Sequence, residues 1–359
     1  MAIPETIRAV VIKEVRWCAS VTEIPIPKLE DDEVLVQVKA VAQILPIRNV
    51  YFLQFILMVG YPGTILGCDF SGIVAAVGPS LTTSVKVGDQ VAGFVQGGHF
   101  KDRGAFAEYL KAPADLVWVV PKGTLSHEEA ATLGCGFWTA VQALFHPTRL
   151  GLTESPAKVE GEKWVFVYGG STSVGLFAIQ LLAAAGYKVA TVSSPRNFEL
   201  VKSLGATVVF DYKSPNALDQ IIAATTPGGG IIGALNTQGA SDGQLLAVKA
   251  FGPEGKGKVV TILGPKDEAV AYNPNVTIQP TLIYTALGRE FNFGEVFPAS
   301  KEDKDHMAAF LTKVPELVKS GAIKPNRVKL WEGGLDGIEG GLAYMKEGKL
   351  SAEKLVYKI

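Results

Sequence analysis

The 359-residue chain predicts an α/β protein of two parts: a small β-barrel or sandwich, and a doubly wound parallel sheet inserted into it. Three observations carry that expectation. Val34, Val36 and Val38 alternate with Leu35, Gln37 and Lys39, the period-two pattern of a strand. From Trp164 the rhythm becomes strand, helix, strand, with a glycine-rich turn between the first strand and helix. The length also exceeds what one ordinary core fills.

Taken in order, the first 120 or so residues read as all-β. Short β-rich runs fall at residues 72–77, 90–95 and 105–110, and Val87-Gly88-Asp89-Gln90-Val91 is a tight turn between strands. Ser126-His127-Glu128-Glu129 is a capping box that starts a helix through Ala130 and Ala131, and a second helix follows over residues 139–144. The hydrophilic residues 148–163 are a loop. Strands are expected at 165–168, 188–192, 207–210, 231–235 and 258–263, with helices at 176–185 and 198–204. Residues 303–319 read as helix, and strands near 328–330 and 354–357 return to the N-terminal part. The domains are therefore 1–128 with 300–359, and 129–299 between them.

Composition narrows the function classes. Hydrophobic residues make up 48% and charged ones 19%, which describes a folded globular chain. The net charge of -1 and the lack of a basic run argue against nucleic acid as partner. No eighteen consecutive apolar residues occur, and the N-terminus lacks the layout of a signal peptide. Three cysteines suit a reducing compartment, so a cytoplasmic location is expected.

The chemistry is concentrated at Tyr168-Gly169-Gly170-Ser171-Thr172-Ser173-Val174-Gly175. A dinucleotide pyrophosphate needs backbone N–H groups and the positive end of a helix, approached closely, and glycine allows that approach. Gly170 to Gly175 has the spacing of a G-x-G-x-x-G fingerprint, with Thr172 in place of the middle glycine. Thr172 is expected to offer its hydroxyl to a phosphate. The next strand ends Ser193-Ser194-Pro195-Arg196-Asn197 with no acid to bind a ribose 2′-hydroxyl. Ser194 and Arg196 suit a 2′-phosphate, so NADPH is the expected cofactor. Lys202 adds charge, and Tyr212 is placed to pack on the adenine.

With those motifs in place, the chain resembles the medium-chain dehydrogenase/reductase superfamily nearly end to end. The likeness is carried by Gly67-Cys68-Asp69-Phe70-Ser71-Gly72, Val87-Gly88-Asp89-Gln90-Val91, Gly104-Ala105-Phe106-Ala107-Glu108-Tyr109, Leu204-Gly205-Ala206 and Gly348-Lys349-Leu350-Ser351-Ala352-Glu353-Lys354-Leu355-Val356. The resemblance implies a GroES-like β-barrel catalytic domain joined to a Rossmann domain. The zinc enzymes of that superfamily carry Gly-His-Glu where this chain has Gly67-Cys68-Asp69, and the first-ligand region, residues 41–46, holds neither Cys nor His. Nor do His99, His127, His146 and His306 show ligand spacing. A zinc-independent reaction is therefore expected. Without a Lewis acid, an activated C=C is a better hydride acceptor than an alcohol or simple carbonyl.

The chain is most similar to the quinone oxidoreductase and fungal trans-acting enoyl reductase branch, through residues 167–172, 194–198, 210–212 and Gly136-Phe137-Trp138-Thr139-Ala140. That resemblance implies Thr139 near the nicotinamide or substrate carbonyl, and Ser171, Thr172, Ser194, Arg196, Asn197 and Tyr212 around NADPH. Asn236-Thr237 and Leu263-Gly264 would pass beside the nicotinamide. Relatives commonly carry Asn-Pro-x-Asp where this chain has Ile44-Leu45-Pro46-Ile47-Arg48-Asn49, and Arg48 or Asn49 is expected to stand in for the usual polar group. Tyr51 and Tyr61 are candidate proton donors. A polyketide synthase or its carrier protein is the implied partner, and the chain is expected as a monomer or as a homodimer joined near residues 277–286.

Overall fold

The computed structural model describes residues 3–13, 19–43, 60–239 and 241–359. The N-terminal stretch forms β1 (Thr6–Ile12), β2 (Ala19–Pro25), β3 (Glu33–Ala42), β4 (Asp69–Val77), β5 (Gln90–Phe94), β6 (Tyr109–Pro113) and β7 (Val117–Val119). β3 is the hub, antiparallel to both β4 and β6. Its alternation separates two cores rather than core from solvent. Val34, Val36 and Val38 enter one apolar cluster while Leu35 enters a second one with Ile7, Val11 and Ile65. Gly88 closes the expected turn at φ +91°. The strand expected over 105–110 begins only at Tyr109, because the Ala105 and Phe106 N–H groups donate to Gly67 and Leu66 carbonyls at 2.9 and 2.8 Å.

The capping box forms as expected, with Ser126 and Glu129 exchanging bonds of 3.2 and 2.9 Å. It opens one short turn, α1 (His127–Ala130), followed by a 3₁₀ turn to Leu133. The next helix, α2 (Cys135–Phe145), starts four residues before the expected position. The Asp69 carboxylate explains the early start, since its Oδ1 accepts the Cys135 N–H at 2.7 Å.

β8 (Trp164–Tyr168), β9 (Lys188–Ser193), β10 (Val208–Asp211), β11 (Ile231–Asn236), β12 (Gly257–Thr261) and β13 (Val276–Pro280) then form one sheet. All its pairings are parallel and its order is β10-β9-β8-β11-β12-β13. The chain winds outward twice from the β8/β11 boundary, so the order reverses there. The crossovers carry α3 (Ser173–Ala184), α4 (Phe198–Ser203), α5 (Ala217–Thr225), α6 (Ser241–Lys249) and α7 (Asp267–Tyr272). β13 lies at the sheet edge and stops at Pro280, whose missing N–H ends the ladder. Residues 283–287 are 3₁₀ rather than strand.

Two-residue strands β14 (Phe291–Asn292) and β15 (Val296–Phe297) precede α8 (Lys301–Leu311) and α9 (Val314–Lys319). The single helix expected over 303–319 is two, because Pro315 cannot continue the hydrogen bonding of α8. After β16 (Arg327–Leu330), α10 (Ile338–Lys346) and β17 (Glu353–Lys358), the return closes on the N-terminal sheet, where β17 pairs antiparallel with β3. The order there is β16-β17-β3-β4-β5-β7, with β6 also on β3.

By internal packing the chain divides into two units. One runs to Trp138 and resumes over Tyr284–Gly321 and Pro325–Ile359; the other holds Thr139–Ile283 and Ala322–Lys324. The first is centred on Val36, Phe70, Val91 and Leu355, and the second on Phe166, Ala190, Ala234 and Val259, each almost fully buried. Among the described residues, no helix is long and apolar enough to cross a membrane.

Candidate active site

The glycine-rich turn is a strand-to-helix turn in which each glycine has a separate reason. Gly169 adopts φ +84°, open to glycine at little strain. A Cβ on Gly175 would strike the Gly169 carbonyl, and one on Gly170 would strike the Thr191 hydroxyl beneath. The turn is thus bare of side-chain bulk at the N-terminus of α3, a twelve-residue helix.

Thr172 does not do what its position led us to expect. Its Oγ1 accepts the Gly175 N–H at 3.0 Å as the helix N-cap and donates to Thr237 Oγ1 at 2.8 Å. Thr237 passes its own proton to the Tyr168 and Gly169 carbonyls at 2.9 and 3.1 Å. The hydroxyl is therefore committed to tying the turn to the end of β11. What the turn offers an anion is therefore the N-terminal end of α3 rather than this hydroxyl. Ser171, Ser173 and Val174 are half-buried around it, while Gly175 is buried.

At the tip of β9 the chain turns through Ser194 into a 3₁₀ segment, Pro195–Asn197, closed by the Asn197 N–H donating to the Ser194 carbonyl at 2.9 Å. Asn197 is buried, and Arg196 is exposed with no ion pair among the described residues. Lys202 faces Glu199 at 3.6 Å on α4, so its charge is partly met within the helix. Tyr212 is half-buried against the core of its unit, with Lys213 5.8 Å over the ring.

On the other side of the β8/β11 boundary, Asn236 ends β11 fully buried. Its Oδ1 accepts the Gln238 N–H at 2.9 Å, but its Nδ2 has no partner among the described residues. An orphaned buried amide is costly unless a ligand completes it. After β12, residues 263–268 are all exposed, and the Cβ position of Gly264 opens into free space. The carboxyl ends of β8, β9, β11 and β12 thus gather Gly170, Ser194, Asn236 and Leu263 along one edge of one sheet.

In the first unit, the segment that would carry metal ligands is satisfied from within. The Cys68 thiol is buried, hydrogen-bonded to Gly97 and Tyr284, and pushed by burial up to about 12. Asp69 is fully buried beside Lys354 of β17 at 2.8 Å, and its other oxygen holds the start of α2. Burial raises its carboxyl above the usual range against the pull of Lys354. Among the described residues, no group of three or more His, Cys, Asp or Glu is arranged to hold a metal ion. A thiol held neutral and a carboxylate already paired do not fit a zinc site. Tyr284 packs its buried ring against Phe94 and Phe293 at 5.6 and 4.9 Å, and burial raises its phenol well above the ordinary value.

Thr139 is buried in α2. Arg48 and Tyr51 lie outside the described residues. Tyr61 is 45% exposed, edge-on to His99 at 5.3 Å between ring centroids. Sequence reasoning passed over Tyr284 and Lys354. Tyr284 sits in no motif and follows a strand 216 residues after Cys68, and Lys354, although inside the closing run that carries the likeness, looks there like an ordinary β-strand lysine. A lysine between Glu353 and an apolar Leu-Val-Tyr run was the available signal, since such a side chain needs a buried partner.

Comparison with known proteins places this architecture. Residues 30–122 match the alcohol dehydrogenase GroES-like domain, and residues 173–299 match the zinc-binding dehydrogenase family. The chain is 36% identical to the trans-enoyl reductase ACTTS2 of Alternaria alternata over 99% of both chains. It is 33% identical to the trans-enoyl reductase resD of Aspergillus sclerotiorum over 95% of this chain and 97% of that one. A quinone oxidoreductase from Pseudomonas syringae shares the fold at 19% identity, with a TM-score of 0.72 over 98% of this chain and 100% of that one. The chain therefore belongs to the medium-chain dehydrogenase/reductase superfamily, in its enoyl reductase branch, as an oxidoreductase dependent on a pyridine nucleotide.

Proposed function

We propose that the chain is a stand-alone NADPH-dependent reductase of activated C=C bonds, with enoyl thioesters as its natural substrates and enones or quinones as surrogates. One observation carries the choice of reaction: Cys68 and Asp69, at the metal-ligand segment, are consumed by Tyr284, Lys354 and the start of α2. A carbonyl reduction that needs a Lewis acid finds the thiol and carboxylate of that segment already engaged, whereas a conjugated C=C accepts hydride without one. The curated relatives above, named as trans-enoyl reductases, agree with this reading.

The residues present fit a dinucleotide. The bare turn Gly169-Gly170 and the N-terminus of α3 would take the pyrophosphate, with Ser171, Thr172, Ser173, Val174 and Gly175 shaping that turn. Exposed Arg196, with Ser194 and Asn197, would take a 2′-phosphate, which selects NADPH over NADH. Tyr212 would flank the adenine. Asn236, Leu263 and Gly264 would meet the nicotinamide half, the orphaned Asn236 Nδ2 gaining its acceptor there. When bound, the reduced nicotinamide supplies a hydride to the β-carbon of the substrate.

The chain's own groups complete the reaction. Thr139 donates to the substrate carbonyl oxygen as negative charge gathers on it. Tyr51 gives a proton to the α-carbon, and Arg48 holds the acyl carbonyl or its carrier's phosphate. The hydride and this proton together saturate the double bond. A second reading, in which the chain acts only on substrate tethered to the carrier protein of a polyketide synthase, draws its support from the likeness to trans-enoyl reductases alone. We place the enzyme in the cytoplasm.

Stopped-flow oxidation of NADPH against enones, quinones and enoyl thioesters tests the proposal. Turnover with at least one class is expected. Failure with all three, free and carrier-bound, overturns it, and turnover only with carrier-bound thioester selects the second reading.

A further inference from the structure

The exposed run after β12 is held from below by one side chain that no motif marks. Gln244, on α6, is fully buried. Its Nε2 donates to the Gly264 carbonyl at 3.0 Å and to Thr261 Oγ1 at 3.4 Å. Its Oε1 accepts the Lys266 N–H at 2.9 Å. Thr261 Oγ1 in turn accepts the Leu263 N–H at 3.4 Å. One amide therefore grips the run on both sides of Pro265, using its donor and its acceptor end together.

This arrangement is expensive to keep for packing alone. A buried primary amide stabilises the fold only when its donors and acceptor are met, and an apolar side chain would serve a plain core position as well. What it fixes is the entry to α7: the Lys266 carbonyl already accepts the Ala269 and Val270 N–H groups, each at 3.0 Å, and Gln244 adds the hold on Gly264 and on the Lys266 N–H. Residues 263–268 are exposed, nothing approaches the Cβ position of Gly264, and Pro265 contributes no N–H. The run sits at the carboxyl end of β12, next to the orphaned Asn236 on β11, while Arg196 sits on the opposite side of the strand-order reversal. A dinucleotide lying across that reversal puts its two nucleosides on the two sides.

We infer that Gln244 is a positioning residue for the nicotinamide half of the cofactor: it presents the Leu263–Gly264 backbone to the ring's carboxamide, so that ring and loop meet without an ordering step at binding. The inference rests on the cofactor reading proposed above. It says that the two halves of the dinucleotide are supported by separable parts of the sheet, and that Gln244 acts on one of them.

The test compares two probes on the whole chain: NADPH, and 2′-phospho-ADP-ribose, which has the same adenosine and pyrophosphate without the nicotinamide. Calorimetry on wild type, Gln244→Leu and Gln244→Glu gives both Kd values. Gln244→Glu keeps the acceptor and the size but loses the donor to Gly264, and it covers the case in which the leucine variant fails to fold. The expected result is a Kd for NADPH raised about tenfold or more, with that for 2′-phospho-ADP-ribose changed less than about twofold. Unchanged NADPH binding, or equal weakening of both probes, overturns the inference. Wild type that binds neither probe overturns the cofactor reading instead.

Discussion

On the cofactor reading proposed above, the choice between NADPH and NADH turns on Arg196. It stands exposed at the tip of β9 with no ion pair among the described residues and no acid where a ribose 2′-hydroxyl would be bound. Replacing it with alanine should raise KM for NADPH about 10- to 100-fold and leave KM for NADH within about twofold, as steady-state kinetics with both nucleotides will show. Equal loss with both would place Arg196 outside the phosphate site. Cys68 makes a different kind of prediction. Its thiol ionises near 9.0 in an unfolded chain and near 12 in the folded one, because burial disfavours the thiolate. The folded state therefore keeps a proton that the unfolded state releases, and stability should fall as pH rises from about 9 toward 12. Urea titrations across that range should show the slope in the wild type and a flatter one in Cys68→Ser. Iodoacetamide at pH 8 should leave the Cys68 peptide unmodified until the chain unfolds, as mass spectrometry will read.

At the scale of elements, the organising feature of the first unit is a buried charge cluster on β3. Glu33 is fully buried between Arg103 at 2.5 Å and Arg289 at 3.2 Å, with Lys111 at 3.6 Å. Glu30 and Asp102 complete the balance around the same cations, at 2.9 and 3.1 Å for Glu30 and 2.7 Å for Asp102 on Lys111. The cluster ties β3 and β6 to the segment that returns after Ile283. Glu33→Gln removes the one fully buried carboxylate and leaves its three cations to the half-exposed Glu30 and Asp102, and the loss should be about 2–3 kcal/mol in urea or thermal unfolding, against under about 1 kcal/mol for the exposed Arg8–Asp336 pair. A cost near zero for Glu33→Gln would mean that water already screens the site. None of this was legible in the sequence, where Glu33 opens a valine-rich strand and its partners lie 70, 78 and 256 residues away. The periodic elements were legible. β8, whose residues are all apolar, and the capping box at Ser126 depend on neighbours in sequence and formed as read. The elements that moved did so through distant partners: α2 starts early on Asp69, and residues 105–107 bond to residues 66 and 67. Pro315 is the exception, since its break between α8 and α9 was written in the sequence and overlooked.

For the whole molecule, the two turns on which the cofactor proposal rests were legible as turns because each is a short run. Gly169 to Gly175 joins β8 to α3, and Ser194 to Asn197 follows β9, as read. Even there the role of Thr172 was not, because its hydroxyl answers to Thr237, 65 residues on. The reaction side was read largely from what is missing, and the structure supplies what takes its place: Lys354 from the last strand and Tyr284 after the parallel sheet, closing on Cys68 and Asp69. The account therefore stands on reduction of a double bond rather than of a carbonyl. The measurement that bears on it most directly follows the label from NADPH deuterated at the transferable C4 position into the product of an α,β-unsaturated thioester. The account predicts a saturated thioester with one deuterium on the β-carbon, detected by mass spectrometry and NMR, at a rate that a chelator does not change. Deuterium on a carbinol carbon, or a reaction abolished by the chelator, would contradict it.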